Sequence, residues 1–211
     1  MRNIHSQESG RSMVEMLGVL AIIGVLSVGG IAGYSQAMSK FKVTKTTDQI
    51  QTMVTNIRTL FSTQRTYSGV AEKSVMYSTG IFTDEICSDG STCSTPTNPF
   101  GGTINLTTQK VNNVSDKGFA VTYNGLPADA CVRLAMQDWG DSSSGLVAVT
   151  VKSSANSVTA DAAIPTVEEA GTGSVTRLTD TSPRPLPMVL SDAATGCGSS
   201  GSASSVTLFY R

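Results

Sequence analysis

The chain has 211 residues, enough for one ordinary domain or for one domain with a long appendage. Only 15% of them are charged and the formal net charge is -1, with no long acidic or basic run, so nothing argues for a nucleic-acid footprint. His5 is the single histidine, and a mature chain starting beyond it would lack Ser-His-Asp and Cys-His catalysis and any histidine metal site. No spacing of lysines or carboxylates recommends another chemistry, and the sequence predicts no enzyme, no catalytic residue, no metal and no cofactor.

Residues 1–10, MRNIHSQESG, are short and polar and end in Gly10. From Met16 to Tyr34 the chain is uncharged for nineteen residues rich in Val, Leu, Ile and Gly. At about 1.5 Å per residue this stretch covers roughly 30 Å, the hydrocarbon thickness of a bilayer. Glu15 stands at its edge, and an acid in an apolar span is expensive unless paired, which makes it a functional candidate. An ordinary secretory signal, with Ser35-Gln36-Ala37 as a small-x-small cut, has a shorter apolar core and is not opened by Glu. A simple signal anchor is the second alternative. Lys40, Lys42 and Lys45 follow the span closely and outnumber Arg2 and Arg11 before it, so the positive-inside rule does not itself place the N-terminus in the cytoplasm. A long translocated domain overrides that bias, and the cysteines favour export.

No proline occurs before Pro96, so nothing forces an early helix stop. Ile50, Met53, Val54, Ile57, Leu60 and Phe61 recur at spacings of three and four, which predicts an amphipathic continuation of the apolar segment. The expectation is one helix from about residue 11 to about residue 63, apolar all round in its first half and striped in its second. Gly29 and Gly33 form a small-xxx-small pair that permits close helix approach. Gly29 and Gly30 also weaken the helix locally.

Residues 64–103 read as a loop region with a short helix near 71–77. Strands are expected at Thr103–Thr107 and Gly118–Tyr123 with VNNVSDKG between them. A helix follows within Leu126–Trp139, opened by Pro127 and carrying Cys131. Gly145–Lys152 is the clearest strand. Residues 153–200, mostly Ser, Thr, Gly, Ala and Pro, read as irregular, with only Met188–Leu190 resembling a short strand, and Ser205–Tyr210 closes the chain as a strand. The fold class is α+β, a long helix packed on an antiparallel sheet. Four cysteines behind a membrane-targeting segment read as two disulfides in an oxidising compartment, and three pairings are open. Cys87 and Cys93 bracket a turn-forming run that makes a local bridge easy.

Gly10-Arg11-Ser12-Met13-Val14-Glu15, followed by the apolar span, resembles the class III signal of type IV pilins and pseudopilins. Asn98-Pro99-Phe100-Gly101, a strand ending Tyr123-Asn124-Gly125-Leu126, a helix bearing Cys131 and a late Cys197 resemble the type IVb subgroup and the PilS-type conjugative pilins. The resemblance implies a leader at 1–10, cleavage between Gly10 and Arg11 by a prepilin peptidase, and N-methylation of the new terminus, although Arg11 stands where most members carry an apolar residue. It implies a filament helix at 11–63, a head at 64–211, and a D-region at about 131–197 closed by Cys131–Cys197, with Cys87–Cys93 as the second bridge. Glu15 and Arg11 become assembly residues, and Gly29, Gly30 and Gly33 helix-packing residues. The implied partners are other pilin subunits, minor pilins, the inner membrane and the pilus assembly machinery. The chain is expected in the inner membrane with its head in the periplasm, and then in an extracellular pilus. A type II secretion pseudopilin, whose family often uses an acidic calcium loop poorly matched by Asp138–Asp141, and a non-polymerising anchored adhesin are the runners-up.

Overall fold

The structure, a computed structural model, describes residues 11–179, 186–199 and 203–211. These residues divide into two compact units, one ending at Phe41 and one spanning Lys42–Arg211. Helix α1 (Arg11–Phe61) forms the whole of the first and opens the second. It stops two residues before the expected end, where the Ser62 amide turns back to the Thr59 carbonyl.

In the first unit the large apolar side chains from Met13 to Tyr34 are all exposed. In the second, Ile50, Met53, Val54, Ile57 and Phe61 form a buried stripe, and Thr46 and Thr47 return their hydroxyls to the carbonyls of Lys42 and Val43. The stripe enters one hydrophobic cluster with alternate residues of the sheet: Val121, Tyr123, Val149, Val151, Val206 and Leu208. Burial of such a side chain is worth about 1.5–3 kcal/mol, so the stripe is a principal anchor of the head.

In chain order, a short helix α2 (Lys73–Ser78) follows α1 and precedes the first strand, slightly later than expected. The first two strands, β1 (Ile104–Val111) and β2 (Val114–Leu126), are longer than expected and take in most of the VNNVSDKG segment between the expected strands. They are joined by a two-residue turn at Asn112-Asn113, both in the left-handed region that Asn tolerates, as a hairpin with the native twist requires. Helix α3 (Ala128–Ala135) ends earlier than Trp139, whose indole N–H donates to the Leu134 carbonyl instead. Strand β3 (Leu146–Lys152) lies where the sequence puts it.

Residues 153–200 correct the reading of an irregular region. They contain β4 (Ala162–Ala163), β5 (Glu169–Gly171), β6 (Ser174–Leu178) and α4 (Leu190–Cys197). Met188–Leu190 is not a strand: Val189 is the N-cap and Leu190 the first residue of α4. Strand β7 (Ser204–Tyr210) completes a seven-stranded sheet in the order β4-β1-β2-β7-β3-β6-β5. All pairs are antiparallel except the two-residue parallel pairing of β4 with β1.

The sheet is covered on both faces. Cys131, Leu134 and Ala135 of α3 and Ala193 and Cys197 of α4 join the α1 side of the core. Ala120, Ala148, Leu178 and Phe209, which alternate with those core residues along their strands, meet Ile164 in a smaller cluster on the other face. On that outer face Thr122, Thr207, Thr150 and Thr176 align across four neighbouring strands. Their hydroxyls bond in pairs, Thr122 with Thr207 at 3.1 Å and Thr150 with Thr176 at 2.8 Å, which removes the penalty of burying them.

Candidate functional site

Arg11 is the first residue of α1, and Gly10, the other residue of the expected cut, lies outside the described residues. Glu15 sits one turn into the helix with an exposed side chain and no salt bridge among the described residues. Leu17 is 66% and Ile23 52% exposed, against 0% for Ile50 and Ile57 on the same helix. So much apolar surface is stable only against lipid or other protein. The helix is long and apolar enough to cross a membrane, and it runs unbroken through Gly29, Gly30 and Gly33, where an added Cβ would meet nothing within 4 Å. These positions offer free, close-approach surface.

The second feature is the region closed by Cys131 and Cys197, which are joined, as are Cys87 and Cys93. The long bridge ties α3 to the last residue of α4. The other end of α4 is held by Asp192, whose Oδ2 accepts from Arg177 Nε at 2.8 Å and lies 2.7 Å from Arg177 Nη2. Arg177 also donates to the carbonyls of Glu169 and Thr176 and lies 4.0 Å from Glu168. A guanidinium buried this far is tolerated only with so complete a set of acceptors. Sequence reasoning missed both Arg177 and Asp192. The available signal was a charge at the position of β6 that strand alternation assigns to the core.

Asp141, Asp138 and Asp89 bond groups of their own loops. Asp141 accepts from the Ser143 hydroxyl and from the amides of Ser143 and Ser144, and these bonds, the hydroxyl first, hold its carboxyl below the usual range. Asp138 accepts from the Gly140 amide. Asp89, within the small disulfide loop, is lowered in the same way by Ser94 just beyond it. Among the described residues no three His, Cys, Asp or Glu side chains gather as a metal site. Deep in the core, burial pushes the Tyr123 phenol well above its ordinary pKa, and its hydroxyl has no hydrogen-bond partner among the described residues.

A long apolar-to-striped N-terminal helix, an antiparallel-rich sheet and a disulfide-closed region before the last strand define the type IV pilin fold. Two solved structures share it. One is TcpA, a type IV pilin from Vibrio cholerae El Tor biotype, at 18% identity over 81% of this chain and 99% of that one, with a TM-score of 0.51. The other is a type IVb pilin from Salmonella typhi, at 18% identity over 80% and 98%, with a TM-score of 0.50. At that identity the likeness is one of fold. No curated protein matches the sequence. A family model described as Bundlin matches residues 36–210, and the chain belongs to that family, among the type IVb pilins.

Proposed function

We propose that the chain is a structural subunit of a type IV pilus-like filament, inserted in the inner membrane as a prepilin with its head in the periplasm, cleaved between Gly10 and Arg11 by a prepilin peptidase, and polymerised through its apolar helix into an extracellular pilus. The observation that carries the reading is the contrast within α1: an apolar half from Met13 to Tyr34 with every large side chain exposed, continuous with a half whose stripe is buried in the head. The first half suits lipid before assembly and neighbouring subunits after it.

Glu15 then has a role. In a filament core its carboxylate pairs with the new amino group at Arg11 of a neighbouring subunit, which removes the penalty of an unpaired buried charge and makes addition register-specific. Glu15→Ala leaves membrane insertion and processing intact and abolishes filaments; normal filament yield by electron microscopy would refute the pairing. Mass spectrometry of the mature chain checks the cut, with a start at Arg11 expected and a start near Met38 overturning it. Gly29 and Gly30 mark where the helix loosens on assembly, and a filament map with unbroken helix through both would remove that step.

A further inference from the structure

Three buried asparagines from three separate segments meet on one side of the sheet. Asn98 lies in the turn before β1. Its Oδ1 accepts from the amides of Phe100 at 2.9 Å and Gly102 at 3.2 Å, and its Nδ2 donates to the Asn124 carbonyl at 2.8 Å. Asn124 lies in β2 where the pairing with β7 shifts register between Tyr123 and Leu126, so its side chain is free to reach past the ladder. Its Oδ1 accepts from the Asn156 amide at 2.8 Å and its Nδ2 donates to the Asn156 carbonyl at 3.3 Å, imitating a pair of backbone partners. Asn156 opens the segment that crosses the outer face after β3. Its Nδ2 donates to Thr207 Oγ1 at 2.9 Å, and its Oδ1 accepts from Lys152 Nζ at 3.0 Å.

All three are less than a tenth exposed, at 5%, 7% and 8%. The turn is also pressed onto β2, because a Cβ on Gly102 would overlap the Asn124 carbonyl. Loops ordinarily open independently of one another. Here the amide groups of two of them converge on one residue, Asn98 on the main-chain carbonyl of Asn124 and Asn156 on its carboxamide.

We propose that Asn98, Asn124 and Asn156 form a single joint that couples the 98–102 turn to the 153–158 segment of the disulfide-bounded region, so that displacement of one surface loosens the other. Asn98 and Asn156 do not bond each other directly, and Asn124 acts between them as a positioning residue: its carbonyl holds the turn and its carboxamide holds the segment. The inference concerns the folded head and does not depend on polymerisation.

The test is residue-resolved hydrogen exchange on the full chain in detergent micelles. Asn98→Asp keeps the acceptor for Phe100 and Gly102 but removes the donor to Asn124. The turn amides should stay protected while the Asn156 amide exchanges about tenfold faster, the effect of losing one buried hydrogen bond. Amides of Val206–Leu208 report global stability and should be unchanged. In the double variant with Asn124→Ala, the Asn156 amide should exchange no faster than in Asn124→Ala alone, because the path is already cut. Faster exchange confined to residues 98–102, or additive effects in the double variant, would overturn the joint. Should Asn98→Asp unfold the head, Asn156→Ala reads the same coupling in reverse: protection lost at Phe100 and Gly102 supports it, and protection retained there refutes it.

Discussion

The two halves of α1 share a backbone and differ in what their side chains face. From Met13 to Tyr34 apolar residues occur on every side and are exposed, whereas from Ile50 to Phe61 they recur every three or four residues and are buried. The second half is completed by its own sheet; under the proposed function, the first is completed by lipid and then by neighbouring subunits. Continuity of secondary structure therefore says little about continuity of role, and the period of the hydrophobic pattern marks the change. If the two halves draw stability from different sources, damage to one should leave the other intact.

The largest such separation is expected from Cys131→Ser with Cys197→Ser. Their bridge closes a loop with a sequence separation of 66 residues, worth about 4 kcal/mol in the chain-entropy model. Thermal unfolding of the head, followed by near-UV circular dichroism in micelles, should shift far downward, while the helical signal of the apolar half persists above the transition. Joint loss of both signals would show that the halves are one cooperative unit.

A smaller effect sharpens the contrast along the helix itself. Ile57→Ala empties a fully buried position and should cost about 3 kcal/mol of head stability, whereas Ile23→Ala, at a site more than half exposed, should leave the melting temperature unchanged. Tyr123→Phe lies in the opposite direction. Its hydroxyl is buried without a partner among the described residues, so its removal should be neutral or stabilise the head by up to about 1 kcal/mol. Chemical denaturation of the variants side by side checks both.

The long helix, β2, β3 and β7 were legible in sequence because their signal is local: an apolar period, β-branched runs and an absence of proline. Residues 153–200 were not, because their elements are held by contacts distant in sequence. Helix α4 is eight residues with Thr195 and Gly196 near its end, poor helix formers that tertiary contacts override. Asp192 is fixed by Arg177 and Cys197 by Cys131, and Gly196 lies so close to Val151 that a side chain there would collide with it. In β6, Arg177 occupies an inward position and breaks the alternation that would have announced a strand. Arg11 and Glu15 stood out by their place beside an apolar span. Asn124 and Asn156 look like ordinary turn residues until the fold brings them together.

The finest distinction concerns how the outer segment is fastened to the head. Asp161 accepts from the Ser115 hydroxyl at 2.8 Å and the Asp116 amide at 3.2 Å and lies 3.5 Å from Lys110 Nζ. The Ser115 bond, above all, holds its carboxyl below the ordinary value of 3.8. A carboxylate lowered on folding contributes stability above its unfolded pKa and loses it as pH falls through the folded one. The contribution should therefore be complete near neutrality and disappear below 3.8. Asp161 has φ 56°, a conformation Asn also tolerates, so Asp161→Asn removes the charge without straining the backbone. Because the group is only partly buried and solvent screens it, the variant should melt only about 1–2 °C lower at neutral pH. The two proteins should converge as the pH is taken toward about 2. An undiminished gap in acid would show that the carboxamide disturbs the turn itself, and that the outer segment is fastened by geometry rather than by charge.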